Sequence, residues 1–111
     1  MSNKEENDSE LDDLKVEYLK TVPEKLQEIE KLIADFLANP NKETKEALKL
    51  PVHKTAGSAG SYGFQKVTEM CRVMDQELAS LTDFANIDSW NEKLTEFFSK
   101  LKDEFGKPPS S

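Results

Sequence analysis

Leu48-Lys49-Leu50-Pro51-Val52-His53-Lys54-Thr55-Ala56-Gly57-Ser58-Ala59-Gly60-Ser61-Tyr62-Gly63 is the stretch on which the fold turns. Leu48, Val52, Thr55, Ala59 and Tyr62 recur at the three- and four-residue spacing of a single helix face. The spacing predicts a helix from about Lys42 to Tyr62, broken by Gly63. Pro51 has no backbone N–H to donate, so a kink or a fresh start is expected there.

The same periodicity continues on both sides. After Gly63, the residues Phe64, Val67, Met70, Cys71, Met74 and Leu78 mark a further helix, which places Cys71 in the core. A loop through Thr82-Asp83-Phe84-Ala85 leads to a last helix carrying Ile87, Trp90, Leu94, Phe97, Phe98, Leu101 and Phe105. Gly106 and Pro108 are its stop signals. Before Lys42, Asn39-Pro40-Asn41 ends one helix and opens the next. The helix so ended carries Leu26, Ile29, Ile33, Phe36 and Leu37, and Thr21-Val22-Pro23-Glu24 reads as its start, with Thr21 as N-cap. Leu11, Leu14 and Tyr18 make a short leading helix. Residues 1–9 read as a disordered leader and 107–111 as a flexible tail, leaving 10–106 as one helical unit. No stretch alternates with period two. The expectation is an all-α, antiparallel four-helix bundle with a short additional N-terminal helix.

Composition narrows the function classes. The 111 residues carry 15 basic and 22 acidic side chains, a net charge of −7. That balance argues against nucleic acid and against anionic membrane surfaces, which both attract basic patches. One cysteine leaves no internal disulfide and no Cys-rich zinc site. No apolar run approaches the roughly 20 residues of a membrane span, and the polar N-terminus is no signal peptide, so a cytoplasmic monomer is expected.

The acidic residues are unevenly placed. None occurs between Glu46 and Glu69, where roughly four would fall at the overall frequency. The same window holds Lys49, Lys54, Lys66 and the only histidine, His53. With Leu48, Val52, Thr55 and Ala59 inward, His53 faces solvent, and its neighbours three, four and seven residues on are Ala56, Gly57 and Gly60. Each mid-helix glycine costs about 1 kcal/mol relative to alanine. A surface kept free of side chains beside an imidazole suits close approach by something large. No second His or Cys stands ready for a metal, and no Ser or Cys nucleophile lies at a fixed spacing. A neutral imidazole is itself a nucleophile and needs only access. An ordinary surface histidine beside incidental glycines fits the same pattern equally well.

His53-Lys54-Thr55-Ala56-Gly57-Ser58-Ala59-Gly60-Ser61-Tyr62-Gly63-Phe64 resembles the active helix of histidine-containing phosphotransfer (HPt) domains. Their motif is a His, a Gly four residues on, a Ser or Ala pair after it, and a second Gly ten residues after the His. His53, Gly57, Ser58, Ala59 and Gly63 match it position by position, and the likeness covers about residues 10–105. The resemblance implies a phosphorelay carrier with no independent catalytic activity. His53 would accept a phosphoryl group through Nε2 from a receiver-domain aspartyl phosphate or a sensor histidine kinase, and pass it to a receiver aspartate. Ala56, Gly57 and Gly60 would admit the partner and Gly63 would turn the helix end. No cofactor of its own is implied, because Mg²⁺ comes with the receiver. Most members of the family carry Lys three residues after the His, where this chain has Ala56, so Lys54 and Lys49 become the candidate phosphate-neutralising residues. A docking module that binds a receiver or kinase without carrying phosphate is the alternative.

Overall fold

A computed structural model describes the backbone of residues 2–106 and the side chains of residues 13–106. Four helices follow one another: α1 (Ser2–Ala38), α2 (Lys42–Ala59), α3 (Gln65–Ser80) and α4 (Asp88–Gly106). A single 3-10 turn, Gly60–Tyr62, follows α2. By its residue count α1 is about 55 Å long and the other three are about 24–28 Å. The described chain measures 59 × 22 × 21 Å. Since no helix fits across so narrow a section, all four lie along the long axis. Short connections make successive helices antiparallel, and α4 closes the bundle against α1.

The two leading helices expected from the sequence are one. Thr21 does not cap a helix; its hydroxyl donates to the Tyr18 carbonyl at 2.6 Å, inside a continuous α1 that runs through Pro23. A proline inside a helix costs roughly 3 kcal/mol. Here it stands on the exposed side, between Tyr18 and Val22 before it and Ile29 after it, all of them buried. Burial of such side chains is worth about 1.5–3 kcal/mol each, so packing outweighs the missing backbone bond. Pro51 behaves in the same way: α2 passes through it without a fresh start.

The backbone of residues 2–9, read from the sequence as a leader, continues α1. No glycine or proline interrupts that stretch, and its acidic residues suit a helix N-terminus. Leu14 does not join the core. It is 52% exposed, and Val16 is 54% exposed. The Leu11 side chain and the 107–111 tail with its Pro108 stop lie outside the described residues.

Elsewhere the apolar stripes close as their spacing requires. Ile29 and Phe36 from α1, Leu48 and Val52 from α2, Val67, Cys71 and Leu78 from α3, and Leu94 and Leu101 from α4 form one core. Trp90 packs edge-on against Phe36, with ring centroids 6.5 Å apart. Asn41 caps α2: its side chain accepts from the Thr44 N–H at 2.9 Å, and Thr44 Oγ1 accepts from the Asn41 N–H. Lys45 is buried beside the start of the α3–α4 connection, where its Nζ donates to the Leu81 carbonyl at 3.0 Å. Among the described residues no helix is long and apolar enough to cross a membrane.

Candidate functional site

The site is built where α2 turns back into α3. Leu48, Val52, Thr55 and Ala59 are buried, as their spacing predicts, and they fix the rotation of α2. His53 is thereby presented to solvent with 74% of its side chain exposed. The chain then reverses at Gly63, whose φ of 93° is left-handed. A Cβ at Gly63 would also stand 2.9 Å from Lys15 Cε of α1, so conformation and space both require glycine here. The Phe64 N–H donates to the Ala59 carbonyl at 3.0 Å and locks the reversal.

The reversal brings Asp75 of α3 to the imidazole. His53 Nδ1 and Asp75 Oδ2 are 3.1 Å apart, and the Asp75 side chain is only 24% exposed. An ionised carboxylate has no proton to donate, so Nδ1–H is the donor. In the neutral ring the lone pair then resides on Nε2, across a ring whose side chain is 74% exposed. One hydrogen bond fixes both tautomer and ring orientation. Asp75 is absent from the sequence expectations, and the stretch around His53 that is free of acids along the chain is not free of them in space. A signal was available. His53 lies ten residues before Gly63 and Asp75 twelve after it, so a tight helical hairpin at that glycine places them abreast.

The small residues divide. Gly57 is exposed, and a Cβ there would meet nothing within 4 Å. Gly60 instead faces α3, where a Cβ would come within 2.9 Å of Thr68 Oγ1, and its carbonyl accepts from Gln65 Nε2 at 3.2 Å. Ala56 is half-buried against the core. Of the three residues expected to keep the face of His53 clear, Gly57 does so, while Gly60 lets two helices approach. Ser58, within the motif, points to the opposite side, where its hydroxyl lies 3.0 Å from the Tyr18 hydroxyl. Burial pushes the Tyr18 hydroxyl above its ordinary pKa. Tyr18 also stacks on Tyr62 at 4.4 Å, so this side of α2 is stitched to α1.

The two candidate lysines differ as well. Lys49, one turn before His53, lies 3.9 Å from Glu46 Oε2 with 24% of its side chain exposed. Lys54 is exposed, about 100° round the helix from His53.

The family model described as Hpt domain matches residues 13–105. The chain belongs to the Hpt domain family. Hpt domains are the histidine carriers of two-component phosphorelays, exchanging phosphoryl groups with receiver domains and kinases rather than catalysing reactions of their own. The family assignment covers most of the chain, and the all-helical bundle agrees with it. Comparison with curated proteins and with solved structures finds no match.

Proposed function

We propose that His53 is the phospho-acceptor of this Hpt domain, a cytoplasmic monomer that takes its phosphoryl group from a receiver-domain aspartyl phosphate or a sensor kinase and delivers it to a receiver aspartate. The observation that carries this reading is the hydrogen bond by which Asp75 holds Nδ1 of a solvent-exposed imidazole. In the transfer the Nε2 lone pair attacks phosphorus, the N–P bond forms, and the P–O bond to the donor aspartate breaks, leaving its carboxylate. The imidazole becomes a cationic phosphoimidazolium that keeps its Nδ1 proton. Asp75 accepts the bond from that proton and balances the new positive charge, as an orienting carboxylate does for other nucleophilic or basic histidines. In the return step a carboxylate oxygen of the receiver aspartate attacks phosphorus, a P–O bond forms, and the electron pair of the N–P bond reverts to Nε2.

The exposed Gly57 supports the same reading. Its bare surface beside Nε2 lets the receiver bring its aspartyl phosphate, together with the Mg²⁺ and lysine of its own pocket, to in-line distance. No pocket of this chain needs to surround the ring, because the partner supplies the walls.

The experiment is receiver-mediated labelling from acetyl phosphate. The wild-type chain is expected to gain acid-labile, base-stable phosphate, and His53→Gln is expected to gain none while keeping its helical signal. Labelling of His53→Gln at the wild-type rate would refute the assignment. Binding to the receiver without label in the wild type would establish the docking module instead.

A further inference from the structure

A phosphoryl group on Nε2 adds up to two negative charges to a chain already at −7, and the ring that carries it sits 3.1 Å from the carboxylate of Asp75. Position 56, one turn beyond His53 on its own helix, offers only a methyl group. Lys49 is already beside Glu46. Lys54 leaves the helix in another direction. A cation must therefore come from elsewhere, and the seam between α2 and α3 has one in register.

Two points fix that seam. At one level His53 meets Asp75; at the other Gly60 meets Thr68 and Gln65. Arg72 lies between them on α3, three residues before Asp75 and four after Thr68, on the flank that these residues turn toward α2. Gln65 reaches the Gly60 carbonyl from that flank, so a longer side chain there reaches the surface of α2 readily. Directly across from Arg72 stand Ala56 and Gly57, and above Gly57 the space is open. Arg72 is exposed, and it takes part in none of the ion pairs or hydrogen bonds found among the described residues. Three residues of helix are about 4.5 Å along the axis, less than the length of an arginine side chain.

The geometry points to Arg72 as the residue that binds the phosphoryl group on His53, crossing the small-residue floor of Ala56 and Gly57 from the neighbouring helix. It rests on His53 being the acceptor. The planar guanidinium offers paired N–H donors to phosphate oxygens, which a lysine at position 56 would meet only as a point charge. The bare surface then has two uses: it admits the partner, and it leaves an approach for a cation that the α2 sequence does not contain. In the unphosphorylated state the arginine is unengaged among the described residues, so the interaction forms only when there is charge to bind.

The test uses the full chain, labelled through a receiver domain with acetyl phosphate and then separated from it. Wild type is compared with Arg72→Ala, Arg72→Lys, Lys54→Ala, Lys49→Ala and the double variant Arg72→Ala/Ala56→Lys. Arg72→Ala is expected to become labelled but to lose its phosphoryl group about threefold faster than wild type, the scale of one exposed charge pair. The second ionisation of the phosphoryl group, followed by ³¹P NMR, should move to higher pH in Arg72→Ala, with the anionic form no longer favoured by a neighbouring cation. Arg72→Lys should recover part of both effects, and so should the double variant. Circular dichroism distinguishes these changes from unfolding. A phosphorylated Arg72→Ala with wild-type lifetime and wild-type ³¹P titration overturns the role of Arg72 and leaves the carrier reading standing. So does the same pair of changes appearing in Lys54→Ala or Lys49→Ala but not in Arg72→Ala. A wild-type chain that takes no label at His53 overturns both.

Discussion

The exposed imidazole and the half-buried carboxylate beside it form a unit, and altering either is expected to leave the fold intact. Asp75→Asn keeps an acceptor for Nδ1–H but removes the negative charge. It is expected to slow phosphoryl acceptance by about tenfold or less, while Asp75→Leu, which frees the ring to rotate, should cost more. Stopped-flow transfer from a labelled receiver measures both, and equal rates in all three chains would remove Asp75 from the mechanism. Cys71 is a different kind of residue. Burial, with Asp75 nearby adding to it, pushes its thiol from the ordinary 9.0 up to about 12. Below pH 9 the thiol is protonated in both folded and unfolded chains, and its contribution to stability is complete. Between about 9 and 12 the unfolded chain ionises first, so stability falls as pH rises, by at most about 1.4 kcal/mol per pH unit. Denaturant unfolding should show this extra slope in the wild type and not in Cys71→Ala. The exposure of His53 and the burial of Cys71 were both legible from helical spacing. The partnership with Asp75 was not, since spacing along one helix says nothing of what a second helix brings alongside.

Among the elements, the α2–α3 hairpin separates two glycines that look alike in the sequence. Gly57→Leu is expected to keep or raise stability, since a helical glycine is replaced and no atom stands in the way, yet to block transfer by filling the approach to Nε2. Gly60→Val should do the reverse in part: with Thr68 Oγ1 only 2.9 Å from the new Cβ, the helices must part, at about 1–3 kcal/mol. Thermal unfolding together with transfer rates tests the pair, and identical behaviour of the two variants would contradict this division. The boundary at Asn39-Pro40-Asn41 was readable because its chemistry is local, and the structure adds the Asn41 cap, an acceptor three residues before the Thr44 N–H. Asn41→Ala should lower stability by about 1 kcal/mol in a denaturant titration. The helix start expected at Thr21 fails for a related reason. A Thr followed three residues later by Glu is a local cue, but Tyr18 and Val22 are anchored in the core on the far side of it. Tertiary packing decided that Pro23 would lie inside a helix.

Taken as a whole, the molecule keeps its chemistry outside and its cohesion inside. Every residue of the core stripe of α2 faces away from His53, so variants of the exposed flank should change relay rates without lowering the unfolding midpoint. The all-helical bundle was legible because 3.6-residue stripes recur in four segments separated by Asn-Pro-Asn, a glycine turn and a polar loop. Its outline was not, because nothing local reveals that one helix is twice as long as its partners. That outline has a hydrodynamic consequence. The Cα radius of gyration is 16.0 Å, against about 13 Å for a spherical fold of this chain length. Small-angle scattering should therefore give a skewed distance distribution with a tail beyond 50 Å, and a symmetric one would mean that α1 does not extend straight. Tumbling should be anisotropic too, with spin about the long axis faster than end-over-end rotation. Helical amide bonds lie nearly along that axis, so their ¹⁵N relaxation should report the slow rotation, and the protein should relax like a heavier one than its 12.6 kDa.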